Sequence, residues 1–457
     1  MLSLFLLTPL KYSLLGLIAI LGATILRYSW VAFAGESDRR RFLQALLMTM
    51  GSVVLVIISN HLVVFWLAWV AVSLCLHRLI LFYPLRPRAQ LAAHKKFLLA
   101  RFSEGLLAIA FVFLYHQFDT FSIHDIVHLA ATQGPSISVS IAATLLAVVA
   151  MIKCAQLPAH GWLIQVVEAP TPVSALLHAG IVNLGGILLL FFAPILAASA
   201  LASWLVIILA GVSTVVAGLI STTRISIKVK LAWSTSSQMG LMLVEVALGL
   251  YEMALLHLFA HSFYKAYSFL NSGNTVNHYL AAKLAGKVKP SIRHWGWALA
   301  LSALVLIVGQ VLFSVMTSAA ATMLVWFALA ALILPSIAHQ APVKARAISI
   351  AMSLGLSALL LTLYTLAKHN LAPLMGLDAP LNLYADLFIA VLFEILFVLS
   401  IALQYWPHHP WVKKLFIWLN AGAYLDEWAT RITLRLWPSS TLIQMQSAQW
   451  QSKSEVK

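Results

Sequence analysis

The chain has 457 residues, of which 62% are hydrophobic and only 9% charged, with a formal net charge of +15 and a mean hydropathy of +0.93. Soluble domains carry about 25% charged residues, so this composition excludes a soluble enzyme, a disordered chain and a nucleic-acid-binding module. The basic residues sit in short clusters between long apolar runs, the pattern of a multi-pass membrane protein.

Apolar stretches of roughly 20 residues suit membrane-spanning helices. In chain order they are about 3–33, 41–59, 61–83, 96–116, 137–168, 172–194, 200–221, 230–250, 252–272, 294–317, 320–339, 345–367 and 382–405. The expected fold is therefore all-α, a polytopic helical bundle of about 13 transmembrane helices. Alternate loops carry the bases: Arg39–Arg41; Arg86, Arg88, Lys95 and Lys96; Arg224, Lys228 and Lys230; Lys283, Lys287, Lys289 and Arg293; Lys344 and Arg346; Lys413 and Lys414. The opposite loops carry Asp119, Asp125, Asp378 and the single base Lys368. Positive charge marks the cytoplasmic side, which puts the N-terminus outside and the C-terminus in the cytoplasm. Cys75 and Cys154 both lie in apolar runs, so no disulfide framework and no zinc spacing is present.

The stretch 137–168 is too long for one straight span, and Pro158 lies inside it. Proline removes a backbone donor, so a broken helix is expected near Pro158; breaks at membrane depth line cavities or polar paths. Pro335 is expected to mark a second break. Beyond Pro407, residues 411–437 mix Trp411, Trp418 and Trp428 with Lys413, Asp426, Glu427 and Arg431, which reads as an interfacial helix or a docking segment. The expected division is a transmembrane domain over 1–405 and a cytoplasmic amphipathic segment with a polar tail over 406–457.

Ionisable side chains inside spans are costly and need an account. They are Arg101, Glu104, Lys153, Glu168, His178, Glu245, His257, His261, Lys265 and Glu394. Arg101 can snorkel to water, whereas Lys153 is deep and beside the break. His257, His261 and Lys265 are spaced i, i+4, i+8, so they share one helix face. Such a ladder suits a proton relay through intervening waters; the bland reading is polar glue between helices. His178 follows the break and can face the same path, or be a packed, satisfied histidine.

The segment Lys153-Cys154-Ala155-Gln156-Leu157-Pro158-Ala159-His160-Gly161-Trp162, with Glu168-Ala169-Pro170-Thr171-Pro172-Val173-Ser174 after it, resembles the core motif of the proton-conducting antiporter-like family. That family includes the large membrane subunits of respiratory complex I and of Mrp cation/proton antiporters. Leu231-Ala232-Trp233-Ser234-Thr235-Ser236-Ser237-Gln238 and His257-Leu258-Phe259-Ala260-His261 are similar to two further family blocks. The resemblance covers roughly residues 25–275. It implies that Lys153 stores and releases a proton and that His178 follows it on the path. It further implies that Lys228, His257, His261 and Lys265 relay protons, and that Arg101 and Glu104 form a basic–acidic pair.

The departures matter too. The family's glutamate partner of the central lysine falls at Val70 here, leaving Glu104 or Glu245 as substitutes. The second-half lysine that follows a Phe-Ser pair is missing, since Phe313-Ser314 leads to Val315-Met316. The chain is expected to begin near the family's third helix. Its shortening, its lost charges and the tail Gly422-Ala423-Tyr424-Leu425-Asp426-Glu427-Trp428 are most similar to membrane subunits of DAB-type inorganic-carbon accumulation complexes. That resemblance implies a multi-pass subunit of a bacterial inner membrane, without a cofactor or catalysis of its own. Its implied partner is a large cytoplasmic or peripheral zinc carbonic-anhydrase-like subunit. The alternatives are an Mrp-like antiporter subunit, a complex I-like proton-translocating subunit, or a scaffold that only anchors a partner.

Overall fold

The computed structural model describes residues 4–284, 290–313, 318–338, 342–375 and 382–437. Lys287, Lys289, the Ser314–Met316 stretch, Asp378 and the polar tail beyond Trp437 lie outside the described residues. The described residues are helical, with only two isolated bridges in place of strands, and they fall into two compact units.

The first unit comprises residues 1–250, 257–272 and 408–457. Its helices are α1 (Pro9–Ala32), α2 (Arg39–Ile58), α3 (Leu62–Ile80), α4 (Pro87–Phe118), α5 (Ile123–Gln133), α6 (Ile137–Lys153), α7 (Gly161–Gln165), α8 (Thr171–Ala179), α9 (Leu184–Phe191), α10 (Ala193–Ala197), α11 (Ala200–Thr223) and α12 (Ile227–Ala247). Most of α13 (Tyr251–Leu270) belongs to it as well. Helix α6 is central and packs on α4, α9, α10 and α11. It is built from small and branched apolar residues, and Ala142, Ala143, Ala147 and Ala150 are fully buried. Such side chains let neighbouring helices approach closely. Gly185 of α9 is one such approach: a Cβ there would lie 2.6 Å from both Ala150 O and Cys154 Sγ.

The second unit comprises residues 251–256 and 273–407. It contains α14 (Thr275–Leu284), α15 (Ile292–Phe313), α16 (Ala319–Ala338), α17 (Val343–Met375) and α18 (Leu383–Tyr405). Helix α16 packs against α15, α17 and α18, over a small core of Ala298, Ala330 and Leu334. Asp386 of α18 caps α16 from outside, accepting hydrogen bonds from Ser318 Oγ (2.5 Å) and from the N–H groups of Ala319 (2.6 Å) and Ala320 (3.1 Å). The carboxylate thereby meets the positive end of that helix. The chain then returns to the first unit with α19 (Pro410–Asn420) and α20 (Leu425–Leu436), joined by a left-handed turn at Ala423 and Tyr424.

Among the described residues, ten helical stretches are long and apolar enough to cross a membrane, one of them made of α8 and α9 together (Thr171–Phe191), which makes this a polytopic helical membrane protein. Three of the expected thirteen spans do not meet that measure. Helix α6 is 17 residues long, and α12 and α13 are long enough but carry many polar side chains. Three further expectations are corrected. Lys95 and Lys96 are not loop residues: α4 starts at Pro87, and both are buried two turns inside it. Lys368 lies within α17, which runs on to Met375, and its Nζ is 3.9 Å from Glu252. Pro335 does not break α16, which continues to Ala338; its missing N–H removes one intrahelical bond, the one to the carbonyl four residues back.

Candidate functional site

The break in the first unit starts earlier than Pro158. Helix α6 stops at Lys153, and the chain runs irregularly through residues 154–160 before α7. Ala155 adopts a left-handed conformation with φ 52° and the Leu157–Pro158 bond is cis. Irregular backbone in an apolar interior needs partners for its polar groups, and neighbouring side chains supply them. Ser236 Oγ donates to Ala155 O (2.6 Å), Leu157 N–H donates to Ser213 Oγ (3.0 Å), and Trp162 Nε1 donates to Ile152 O (3.2 Å). Gln156 Nε2 bridges Cys154 O (2.7 Å) and Ser236 O (3.0 Å).

Two groups of ionisable side chains lie around this break. The first gathers on α3, α4 and the end of α6. Lys153 Nζ stands over the Trp69 ring at 4.6 Å from its centroid. Lys153, Glu104, Lys96 and Trp69 line one cavity of about 20 Å³, enough for about one water. Glu104 is paired with Arg101 at 2.6 and 2.8 Å. Ser73 of α3 ties the group together: its hydroxyl accepts from Lys96 Nζ (2.9 Å) and Arg101 Nη2 (3.0 Å), and its carbonyl accepts from Lys96 Nζ (2.5 Å). Of the two candidate acids, Glu104 is the one that shares the Lys153 cavity.

The second group lies between α8, α12 and α13. Glu245, only 3% exposed, accepts at 2.9 Å from His257 Nδ1. His257 Nε2 lies 3.0 Å from Gln238 Oε1, so a doubly protonated ring donates to both, and a reoriented Gln238 amide suits the neutral ring. The His257 and His261 rings are 6.1 Å apart, one helical turn on. Lys265 is fully buried and donates to Leu231 O (3.0 Å) and Ser234 Oγ (2.9 Å). His178 meets Thr235 Oγ1 at 3.1 Å and stacks on Phe269 of α13 at 4.3 Å. Among the described residues, His178 Nε2 and both ring nitrogens of His261 are buried without a hydrogen-bond partner. Unpaired buried polar atoms are expensive, and these lie on two of the helices that bound this group, α8 and α13.

Lys228 stands apart from both groups, with its Nζ on Thr171 Oγ1 at 3.1 Å. Glu168 pairs at 3.2 Å with the exposed Arg88. One helix joins the second group to the break. Along α12, Ser234 holds Lys265, Thr235 meets His178, Ser236 braces the break next to Lys153, and Gln238 meets His257. The polar run of α12 is thus a spine between the break and the histidine ladder. Sequence reasoning missed Trp69, Ser73 and Lys96. Lys96 had a signal, since Lys96, Ala100, Ser103 and Glu104 fall at the three-to-four spacing of one helix face, and all four line the cavity. Trp69 and Ser73 had none beyond their helix.

A helical membrane bundle with a braced break, a half-buried lysine at its end and a ladder of largely buried titratable groups has the make-up of an antiporter-like transport subunit. Comparison with known proteins agrees. The family described as NADH:quinone oxidoreductase/Mrp antiporter, TM, matches residues 59–285. The chain is 46% identical over 434 residues to the probable inorganic carbon transporter subunit DabB of Hydrogenovibrio crunogenus, covering 93% of this chain and 82% of that protein. It is 35% identical to subunit DabB2 of Halothiobacillus neapolitanus, over 93% and 79% of the two chains. NADH-quinone oxidoreductase subunit L of Escherichia coli is 31% identical over 58% of this chain and 44% of its own length. In fold, the chain superposes on a chain of the Mrp complex from Dietzia with a TM-score of 0.61 and 21% identity, covering 92% of this chain and 52% of that one. The chain belongs to the DabB family of antiporter-like membrane subunits.

Proposed function

We propose that this chain is the proton-conducting membrane subunit of an inorganic-carbon uptake complex. It sits in a bacterial inner membrane with its N-terminus outside and its C-terminus in the cytoplasm, as the alternation of basic loops suggests. Its partner is a large zinc carbonic-anhydrase-like protein on the cytoplasmic face. Proton entry drives that partner's hydration of carbon dioxide to bicarbonate, so bicarbonate forms inside and does not revert. Each charge crossing 100 mV releases about 2.3 kcal/mol, enough to bias the hydration roughly 50-fold. Lys153 holds and releases the proton, with Glu104 as its neighbouring acid. His178, His257, His261 and Lys265 carry it onward, with Glu245 at the end of the ladder.

The observation that carries this reading is the placement of Lys153 and Glu104 around one small cavity at the end of a broken helix, within a chain close to the DabB subunits. The test is complementation of cells unable to accumulate bicarbonate, with this chain and a large soluble protein encoded beside it, each alone and together. Growth in ordinary air should need both and should stop when a proton uncoupler is added. Rescue by this chain alone, or rescue that survives the uncoupler, would overturn the coupling.

A further inference from the structure

Helix α20 brings a carboxylate to the far side of the break. Asp426, in its first turn, accepts hydrogen bonds from Lys95 Nζ (2.8 Å) and Gln165 Nε2 (2.8 Å). Lys95 also donates to Thr430 Oγ1 one turn further along α20 (2.8 Å). Lys95 is only 1% exposed, and a buried ammonium depends on its paired acid. Gly161 lies flat against the same carboxylate, and a Cβ there would collide with Asp426 Oδ1. Asp426 therefore touches both ends of α7, Gly161 at one and Gln165 at the other.

Between those ends lies Trp162, which donates to Ile152 O at the end of α6 and walls the cavity of Lys153 and Glu104. A second cavity of about 620 Å³ lies between α20, α4 and the break, with Lys95, Pro158, Gly161 and Trp428 in its walls. Leu99 lines both cavities, so they adjoin. We propose that Asp426 is a positioning residue of the ion path: anchored by Lys95, it clamps α7 and so fixes Trp162 against the Lys153 cavity. The inference rests on the reading of Lys153 as the proton-holding group. A salt bridge that served only to dock the tail would require neither the Gln165 hydrogen bond nor a residue without a side chain at 161.

The test uses the full-length chain with its partner, in a Cys75→Ala background. Removing a hydrogen-bonded charged partner shifts a local equilibrium by about tenfold or more. Asp426→Ala should therefore cut transport at least that much at normal membrane abundance, and should speed maleimide labelling of Ala159→Cys beside the break to a similar degree. The pair Gly161→Cys and Asp426→Cys replaces the clamp by a disulfide: transport should return on oxidation and vanish again on reduction. Full transport in Asp426→Ala, unchanged labelling, a cysteine pair that does not cross-link, or a formed cross-link that restores nothing would each overturn the positioning role. Labelling and cross-linking need no ion flux. They therefore report on the clamp even if Lys153 is found not to carry protons, an outcome that Lys153→Ala reads separately.

Discussion

The ammonium of Lys153 faces the ring of Trp69, 4.6 Å from its centroid, one residue before the position where the family resemblance places a glutamate. An aromatic face attracts an ammonium by roughly 0.5–2 kcal/mol and offers no site that can take its proton. A carboxylate does both. On the proposed reading the two tasks are separated in this chain: Trp69 stabilises the cation, while Glu104, itself held by Arg101, is the acid across the small cavity.

The first prediction follows from that division. Lys153→Ala should abolish carbon-dependent growth at normal membrane abundance, and Lys153→Arg should fail equally, because a guanidinium does not deprotonate in a protein. Trp69→Phe should keep most of the transport, since a ring remains. Trp69→Leu should lower it several-fold, in line with losing roughly 1 kcal/mol of cation–π attraction. Equal activity of the Phe and Leu variants, measured at matched abundance, would remove Trp69 from the site.

Much of this was legible in the chain itself. The break could be read from a stretch too long to cross once and from Pro158, and the ladder from the spacing of His257, His261 and Lys265, because both follow from helix geometry. The exact stop at Lys153 was not legible, because it depends on Ser236 and Ser213 arriving from other helices to bind the freed backbone. Lys95 and Lys96 were misassigned to a loop for a related reason. Local sequence reports their charge, while Asp426 and Ser73, distant along the chain, are what make their burial tolerable. Glu245 shows the same limit: its partner His257 could be identified only once α12 and α13 were side by side.

Lys96 gives the second prediction. Its Nζ is held by both oxygens of Ser73 and it lines the Lys153 cavity, so it adds a further basic group beside a single acid. Lys96→Met keeps the apolar stem and removes the charge. It should leave abundance near normal and change transport several-fold, because like charges inside a poorly screened site interact strongly. Lys96→Arg should also disturb transport, since the larger fork does not fit between the two Ser73 oxygens. Wild-type transport in both variants would make Lys96 a packing residue only.

The third prediction concerns the ladder. Glu245, His257 and Gln238 form one hydrogen-bonded set, and His261 lies the next turn along. In a serial relay one interruption is as costly as two, so replacements at His257 and His261 should be non-additive in a double-mutant cycle. His257→Ala, His261→Ala and the double variant should show about the same residual transport, with Glu245→Gln partly defective. A double variant as active as wild type would end the relay reading, and additive losses would point to independent packing roles.

The last prediction separates the architecture of the break from its chemistry. Ser236 Oγ is the donor that satisfies Ala155 O (2.6 Å), on a residue whose left-handed backbone (φ 52°) is unfavourable for anything but glycine. Ser236→Ala leaves that buried carbonyl without its partner, at a cost of about 1–3 kcal/mol. Gly185→Ala instead drives a methyl to 2.6 Å from Ala150 O and Cys154 Sγ, an overpacking that typically costs about 1–3 kcal/mol. Both variants should therefore melt earlier than wild type in detergent, whereas Lys153→Ala, which removes a charge with no tight ion pair, should melt no earlier. The three together form the measurement. If Ser236→Ala and Gly185→Ala keep the wild-type midpoint while Lys153→Ala lowers it, the break is held by the lysine rather than by α9 and α12, and the assignment of structural and functional residues would have to be exchanged.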